Sequence, residues 1–183
     1  MKKISFCLLF SLLLNVVTAQ SDYQDLEFYK IGCKLLDSLK FNESIFYFNK
    51  AIKNNPANTI YYYKRGQAYY KIKNYSSAKE DFTFCLQNVS NEPIYYHLVG
   101  LCNEKLGLTS DALLYYSKAI EMNAKDIDFY KSRANLYMKI DSIKPAINDY
   151  SYVLSINTKD GNTYYNRGIA YYKIKKIESA CSD

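Results

Sequence analysis

The sequence predicts an all-α, right-handed α-solenoid of tandem 34-residue helix–turn–helix repeats, about 4.5 of them. Three observations carry this reading. Four of the six glycines, Gly32, Gly66, Gly100 and Gly168, stand 34, 34 and 68 residues apart, and Ala134 fills the skipped place. Within one period, Tyr62, Gly66 and Tyr69 fall at i, i+4, i+7, and Ala78, Phe82 and Cys85 repeat that spacing. That is the signature of two amphipathic helices in succession. Finally, 6 Gly and 3 Pro among 183 residues are too few turn-formers for a sandwich or barrel of short strands.

The first segment reads as an address. Met1-Lys2-Lys3 is a basic start, Ile4 to Leu14 is apolar, and Val17-Thr18-Ala19 offers a small-residue cleavage site. This is the layout of a secretory signal peptide over 1–19, with an apolar core well short of the ~20 residues of a spanning helix. The expected product is exported to a periplasm, a cell envelope or the medium, with no membrane span after cleavage. Removal of Lys2 and Lys3 lowers the net charge from +6 to +4, too weak to indicate nucleic acid.

The repeats follow in order at 25–58, 59–92, 93–126 and 127–160, with a partial fifth at 161–183. Aromatic residues recur at Phe28, Tyr62, Tyr96, Tyr130 and Tyr164, and again at Phe48, Phe82, Tyr116 and Tyr150. Small residues recur at Ser44, Ala78, Ala112, Ala146 and Ala180, letting the opposing ring approach. Asn58, Pro93 and Asp160-Gly161 mark helix starts. A single hairpin cannot bury its apolar face, so neighbours must stack.

This pattern of aromatic, Gly, aromatic, Ala, aromatic, Ala over 34 residues resembles the tetratricopeptide repeat family. The resemblance spans 25–183 and implies a module that binds proteins or peptides and is not an enzyme. Two departures stand out. The family's repeat-end proline survives only as Pro56, and Asn103 replaces the second aromatic of the third repeat, which is expected to loosen that hairpin.

One covariation is internal to the chain. Arg65, Arg133 and Arg167 occupy the seventh position of their repeats, and Asp81, Asp149 and Asp183 follow sixteen residues later. The other two repeats carry Ile31 with Tyr47 and Val99 with Tyr115. Arg–Asp bridges between the two helices of a hairpin are therefore expected, replaced elsewhere by apolar packing.

In the family the resemblance points to, the first helix of each repeat lines a concave groove. Carried over position by position, that groove holds Tyr29, Tyr63, Gln67, Tyr70, His97, Asn135, Lys131, Tyr165 and Tyr172. Tyrosines with apolar bodies and wet hydroxyls suit peptide binding. Lys71, Lys105, Lys139 and Lys173 recur at 34-residue spacing and would form a modest positive line favouring an acidic segment, or would serve their helix C-termini. Some members of the family clamp a partner's terminal carboxylates, and Lys131, Asn135 and Asn166 match the first places of that clamp, while the rest would fall after Asp183.

No phosphate-loop, zinc-protease, nucleophile-elbow or dinucleotide motif occurs, and His97 is the sole histidine. No enzyme, cofactor or metal is expected. Cys33, Cys85, Cys102 and Cys181 form no CxxC and are read as small apolar residues rather than a disulfide framework. The fifth repeat reaches Ser182-Asp183 with Tyr164 and Tyr171 uncovered, which leaves three readings open: a truncated chain, an end that self-associates, or one completed by a partner. The resulting expectation is an exported scaffold binding a peptide or protein segment in its groove. The alternative is an assembly subunit acting through its repeat ends or convex face.

Overall fold

The computed structural model describes residues 24–183, and these form α-helices with no strand among them. The expected signal peptide, residues 1–19, lies outside the described residues. None of the described helices is long and apolar enough to cross a membrane. The chain divides into two compact units, one ending at Asn88 and the other running from Val89 to Asp183.

The first unit holds α1 (24–37), α2 (Phe41–Asn54), α3 (Thr59–Lys71) and α4 (Tyr75–Asn88). The second holds α5 (Pro93–Lys105), α6 (Thr109–Met122), α7 (Ile127–Lys139), α8 (Ile143–Ile156), α9 (Gly161–Lys173) and α10 (Ile177–Ser182). Within each unit consecutive helices pack together, and in the second α5 also meets α7. This is the packing of an all-α solenoid. Local chemistry sets the helix starts: Asn58, Asp126 and Asp160 accept backbone N–H groups from Ile60, Asp128 and Thr163, and Pro93 opens α5.

Each hairpin turns through one left-handed residue: Leu39, Lys73, Gly107, Asp141 and Lys175, at φ 61, 64, 77, 58 and 61°. The backbone bonds repeat as well. Lys73 N–H donates to the Tyr70 carbonyl and Asn74 N–H to that of Tyr69, at 3.1 and 2.9 Å, and every other turn has the same pair. This closure satisfies the last carbonyls of the first helix. Only Gly107 and, more weakly, Asp141 carry residue types that favour it, so most of these turns were invisible in the sequence.

The core is a stack of rings on small residues. Phe48, Phe82, Tyr116 and Tyr150 are buried, each opposite Gly32, Gly66, Gly100 or Ala134. A Cβ on Gly66 would lie 2.7 Å from the Phe82 ring, whereas one on Gly168 would meet nothing nearer than 3.4 Å. Opposite outcomes follow for one substitution. Gly66→Ala is expected to destabilise by about 1–3 kcal/mol through overpacking. Gly168→Ala should instead be neutral or stabilising by up to about 1 kcal/mol, because alanine is the better helix former. Urea unfolding of both variants checks this, and equal losses would mean that the ring does not set the cost.

Two kinds of repeat share this common frame. Where arginine is present, it lies over two tyrosines of its own helix, as Arg65 does over Tyr62 and Tyr69 at 5.2 and 5.8 Å. The first of those tyrosines is stacked from the other side of the hairpin, Tyr62 by Phe84 at 3.9 Å and Tyr130 by Tyr152 at 4.2 Å. Where arginine is absent, ring and cation exchange places. Tyr47 and Tyr115 then pack on Phe28 and Tyr96, and the cation comes from Lys50 or Lys118 on the second helix.

Asn103 is fully buried, and neither its Oδ1 nor its Nδ2 has a hydrogen-bond partner. The expected loosening is not what the structure shows. Gly100 and Tyr116 keep the same close approach as in the other hairpins. The amide is enclosed rather than released, because the flanking ring contacts hold the two helices together.

Candidate functional site

The three arginine pairs come together with near-identical geometry. Arg65 donates from Nε and Nη2 to the two Asp81 oxygens at 2.9 and 2.6 Å. Arg133 reaches Asp149 at 2.9 and 2.8 Å, and Arg167 reaches Asp183 at 2.7 and 2.5 Å. The Asp149 and Asp183 carboxylates hold the Arg133 and Arg167 guanidinium groups above their ordinary range. The remaining Nη1 reaches back to the preceding repeat, to Asn49, Ser117 or Ser151 at 2.6, 2.9 and 3.1 Å. Each arginine therefore ties three helices, and none is presented to a ligand.

The predicted groove residues divide by unit. In the first unit Tyr29 and Tyr63 tilt against Phe48 and Phe82, at 6.2 and 6.3 Å between centroids, and Tyr29 also meets Tyr61 at 5.2 Å. Tyr70 sits edge-on to Tyr75. These three side chains and Gln67 are half-buried, while Lys71 is exposed. Burial, then the neighbouring Cys33, pushes the Tyr29 phenol up to about 12, and burial raises that of Tyr63. Both stay neutral at physiological pH, as hydrogen-bonding tips on packed rings.

In the second unit His97 departs from expectation. It is only 8% exposed, its ring lies 5.6 Å from Tyr116 and 4.9 Å from Phe129, and its Nε2 is 2.8 Å from Ser132 Oγ. Phe129 of the next repeat covers it, a contact that assignment by position could not show. His97 is therefore a packing residue and not a groove contact. Burial lowers its pKa, against the opposing pull of Asp126, Asp128 and Glu104. The folded chain thus prefers neutral imidazole, so stability is full above the unfolded pKa of about 6.5 and declines as pH falls below it. His97→Phe is expected to flatten that decline, measured as the midpoint of thermal unfolding between pH 7 and 5. An unchanged slope would assign it to the carboxylates.

The lysine line is interleaved with acids. Lys139 donates to Glu104, which also accepts from the Tyr116 hydroxyl at 2.8 Å, and Lys173 donates to Asp141 at 3.0 Å. Lys139 and Lys173 thus each reach a carboxylate in the repeat before, and these charges interrupt the modest positive line expected from spacing. Lys105 has no ion-pair partner among the described residues. Lys131 is held by Asp128 at 2.8 Å and Asp160 at 3.4 Å, and Asn135 Oδ1 accepts the Tyr150 hydroxyl at 2.6 Å. Lys131 and Asn135 of the clamp-like set are thus engaged within the fold. Tyr165 and Tyr172 are each 69% exposed on α9, with Ile169 between them at 37%.

The four cysteines among the described residues are free thiols, Cys85 and Cys102 buried and Cys181 exposed. Burial pushes the Cys85 thiol up to about 12, and its Sγ donates to the Thr59 carbonyl at 3.3 Å. Among the described residues no group of three or more His, Cys, Asp or Glu side chains is placed to hold a metal ion.

Comparison with known proteins supports the repeat family. Residues 60–87 and 94–126 match the tetratricopeptide repeat model. Human Tetratricopeptide repeat protein 13 is 30% identical over 67% of this chain, and the Small glutamine-rich tetratricopeptide repeat-containing protein of Dictyostelium discoideum is 33% identical over 57%. The Hsp70-Hsp90 organising protein of Plasmodium falciparum is 27% identical over 59%. The chain spans only 14, 31 and 18% of those three proteins. Among solved structures, MamA superposes with a TM-score of 0.79 at 22% identity, covering 87% of each chain. YrrB, described as a protein with an unusual peptide-binding site, gives 0.72 at 18%, covering 91% of this chain and 86% of its own. The first repeat domain of Spaghetti, solved with the HSP90 peptide SRMEEVD, gives 0.61 at 18%, covering 65% and 94%.

Proposed function

We propose that this solenoid of tetratricopeptide-type repeats is an exported interaction scaffold that holds a peptide or protein segment along the first helices of its second unit. Tetratricopeptide repeat proteins mediate protein–protein interaction, and two of the structural neighbours are described with peptide sites. The observation that carries the reading is the surface itself. Tyr165, Ile169 and Tyr172 form an exposed apolar strip on α9, Lys173 follows on the same helix, and Lys105 and Asn135 add polar anchors from α5 and α7. Such a mixture gives contact area at small entropic cost together with orientation.

The ligand chemistry follows from the ion pairs. The Lys173–Asp141 pair is exposed, with Asp141 at 81%, so it contributes about 0–1 kcal/mol and yields readily to an incoming carboxylate. Glu104 is 10% exposed and also bonded to Tyr116, so Lys139 stays committed. An acidic segment would therefore use Lys105 and Lys173. Export rests on the leader-like residues 1–19 and is tested by N-terminal sequencing of the secreted or envelope-associated protein.

The test of binding is a pull-down from that fraction with the parent chain and a Lys105→Ala/Tyr172→Ala/Lys173→Ala variant. A partner lost at least tenfold on the variant supports the scaffold. Equal capture by both would move the function to the repeat ends or the convex face.

A further inference from the structure

One cation in the first hairpin is surrounded by rings rather than acids. The Lys50 ammonium lies 4.5 Å from the ring centroid of Phe46, 5.2 Å from Phe28 and 5.5 Å from Tyr47. Among the described residues, the ion pairs of the first unit use Lys40 and Arg65 and leave Lys50 out. Phe46 and Tyr47 stand edge-on at 88° with centroids 5.4 Å apart, so their faces make a corner. Phe28 from α1 adds a third side, tilted 46° to Tyr47 at 6.3 Å. Ring faces carry negative potential, and three of them about one point make a seat for a cation.

Two of the three rings belong to the repeat frame. Phe28 and Tyr47 recur as Tyr96 and Tyr115 in the third repeat, where Lys118 lies 6.0 Å from each. The third ring does not recur. The places matching Phe46 hold Glu80, Leu114, Asn148 and Ser182. Nor does the core require it, since Phe46 is 55% exposed while Phe48 is fully buried. What Phe46 adds is a third face, and of the three it is the nearest to the ammonium.

Lysine is a poor match to such a seat. Its ammonium is compact and strongly hydrated, and its N–H donors want acceptors that ring faces supply only weakly. A quaternary ammonium has no donors to satisfy, sheds its water more cheaply and lays methyl groups on the rings. We infer that Phe28, Phe46 and Tyr47 form a binding site for a quaternary ammonium group, with the Lys50 side chain as its built-in competitor. The ligand enters over the exposed Phe46 ring, and the unbranched lysine stem swings out to water. The site lies within the first unit, on residues that the proposed peptide surface of the second unit does not use. It does not depend on that surface.

The test titrates the full chain with choline and reads the upfield shift of the choline methyl resonance by NMR. The parent should bind saturably with a Kd of ~1–10 mM. Lys50→Ala, which empties the seat, should bind about fivefold tighter. Phe46→Leu copies the side chain of the third repeat, so it should keep the unfolding midpoint while weakening choline about fivefold. The neutral tert-butyl analogue of choline, equal in shape but uncharged, should bind about fivefold more weakly as well. Co-sedimentation with phosphatidylcholine vesicles then separates the sources of the group. Retention that Phe46→Leu abolishes assigns a lipid headgroup, and choline binding without retention assigns a free ligand. A Lys50→Ala variant that binds no better than the parent overturns the proposal. So does a response undiminished by Phe46→Leu, or an equal one to the neutral analogue.

Discussion

Asp149→Ala is expected to cost about 3–5 kcal/mol, far more than a typical change at a solvent-facing helix position. The carboxylate is 8% exposed and Arg133 18%, so removing one partner leaves a guanidinium enclosed between Tyr130 and Tyr137 without its counter-charge. Arg133→Met/Asp149→Leu should recover much of that loss, because no lone charge then remains buried. The double-mutant cycle gives the coupling directly. Single-variant losses below about 1 kcal/mol would show that the pair behaves as a surface ion pair.

Asn103→Leu is expected to stabilise the chain by about 2–4 kcal/mol. Two buried polar atoms lack partners, and each carries a penalty of about 1–3 kcal/mol. Leucine already stands at the matching position of the first repeat, as Leu35, so the site is shaped for a side chain of that kind. Chemical denaturation with a common slope is the measurement. A loss of stability would mean that the amide is satisfied in solution. Binding assays on the same variant would then tell whether the asparagine serves a ligand instead.

The hairpins were legible in the sequence because a ring and the small residue beneath it are fixed by contact, as with Gly66 and Phe82. The arginine pairs were legible for a related reason: Arg65 and Asp81 change type together when the repeat class changes. Their third arm was not. Asn49, Ser117 and Ser151 lie sixteen residues before their arginines, but Thr83 stands at that place before Val99, so hydroxyl chemistry there does not distinguish the classes. The surface was harder to read. Position in the repeat put His97 in the groove, whereas its burial depends on Phe129 from the next repeat. Spacing likewise placed Lys139 and Lys173 in line but said nothing of Glu104 and Asp141, which reach them only after the hairpins stack.

The backward reach of the arginines has a bearing on how such a chain can change its length over generations. Arg133 grasps Ser117 and Arg167 grasps Ser151, the same residue type 34 positions apart. Excision of residues 127–160 would bring Arg167 opposite Ser117, with the donor and acceptor types unchanged. Duplication of the same stretch would add one more identical joint. Unequal recombination within this part of the gene therefore keeps the arginine joint, and what it changes at the seam lies elsewhere, where His97 would meet Thr163 in place of Phe129.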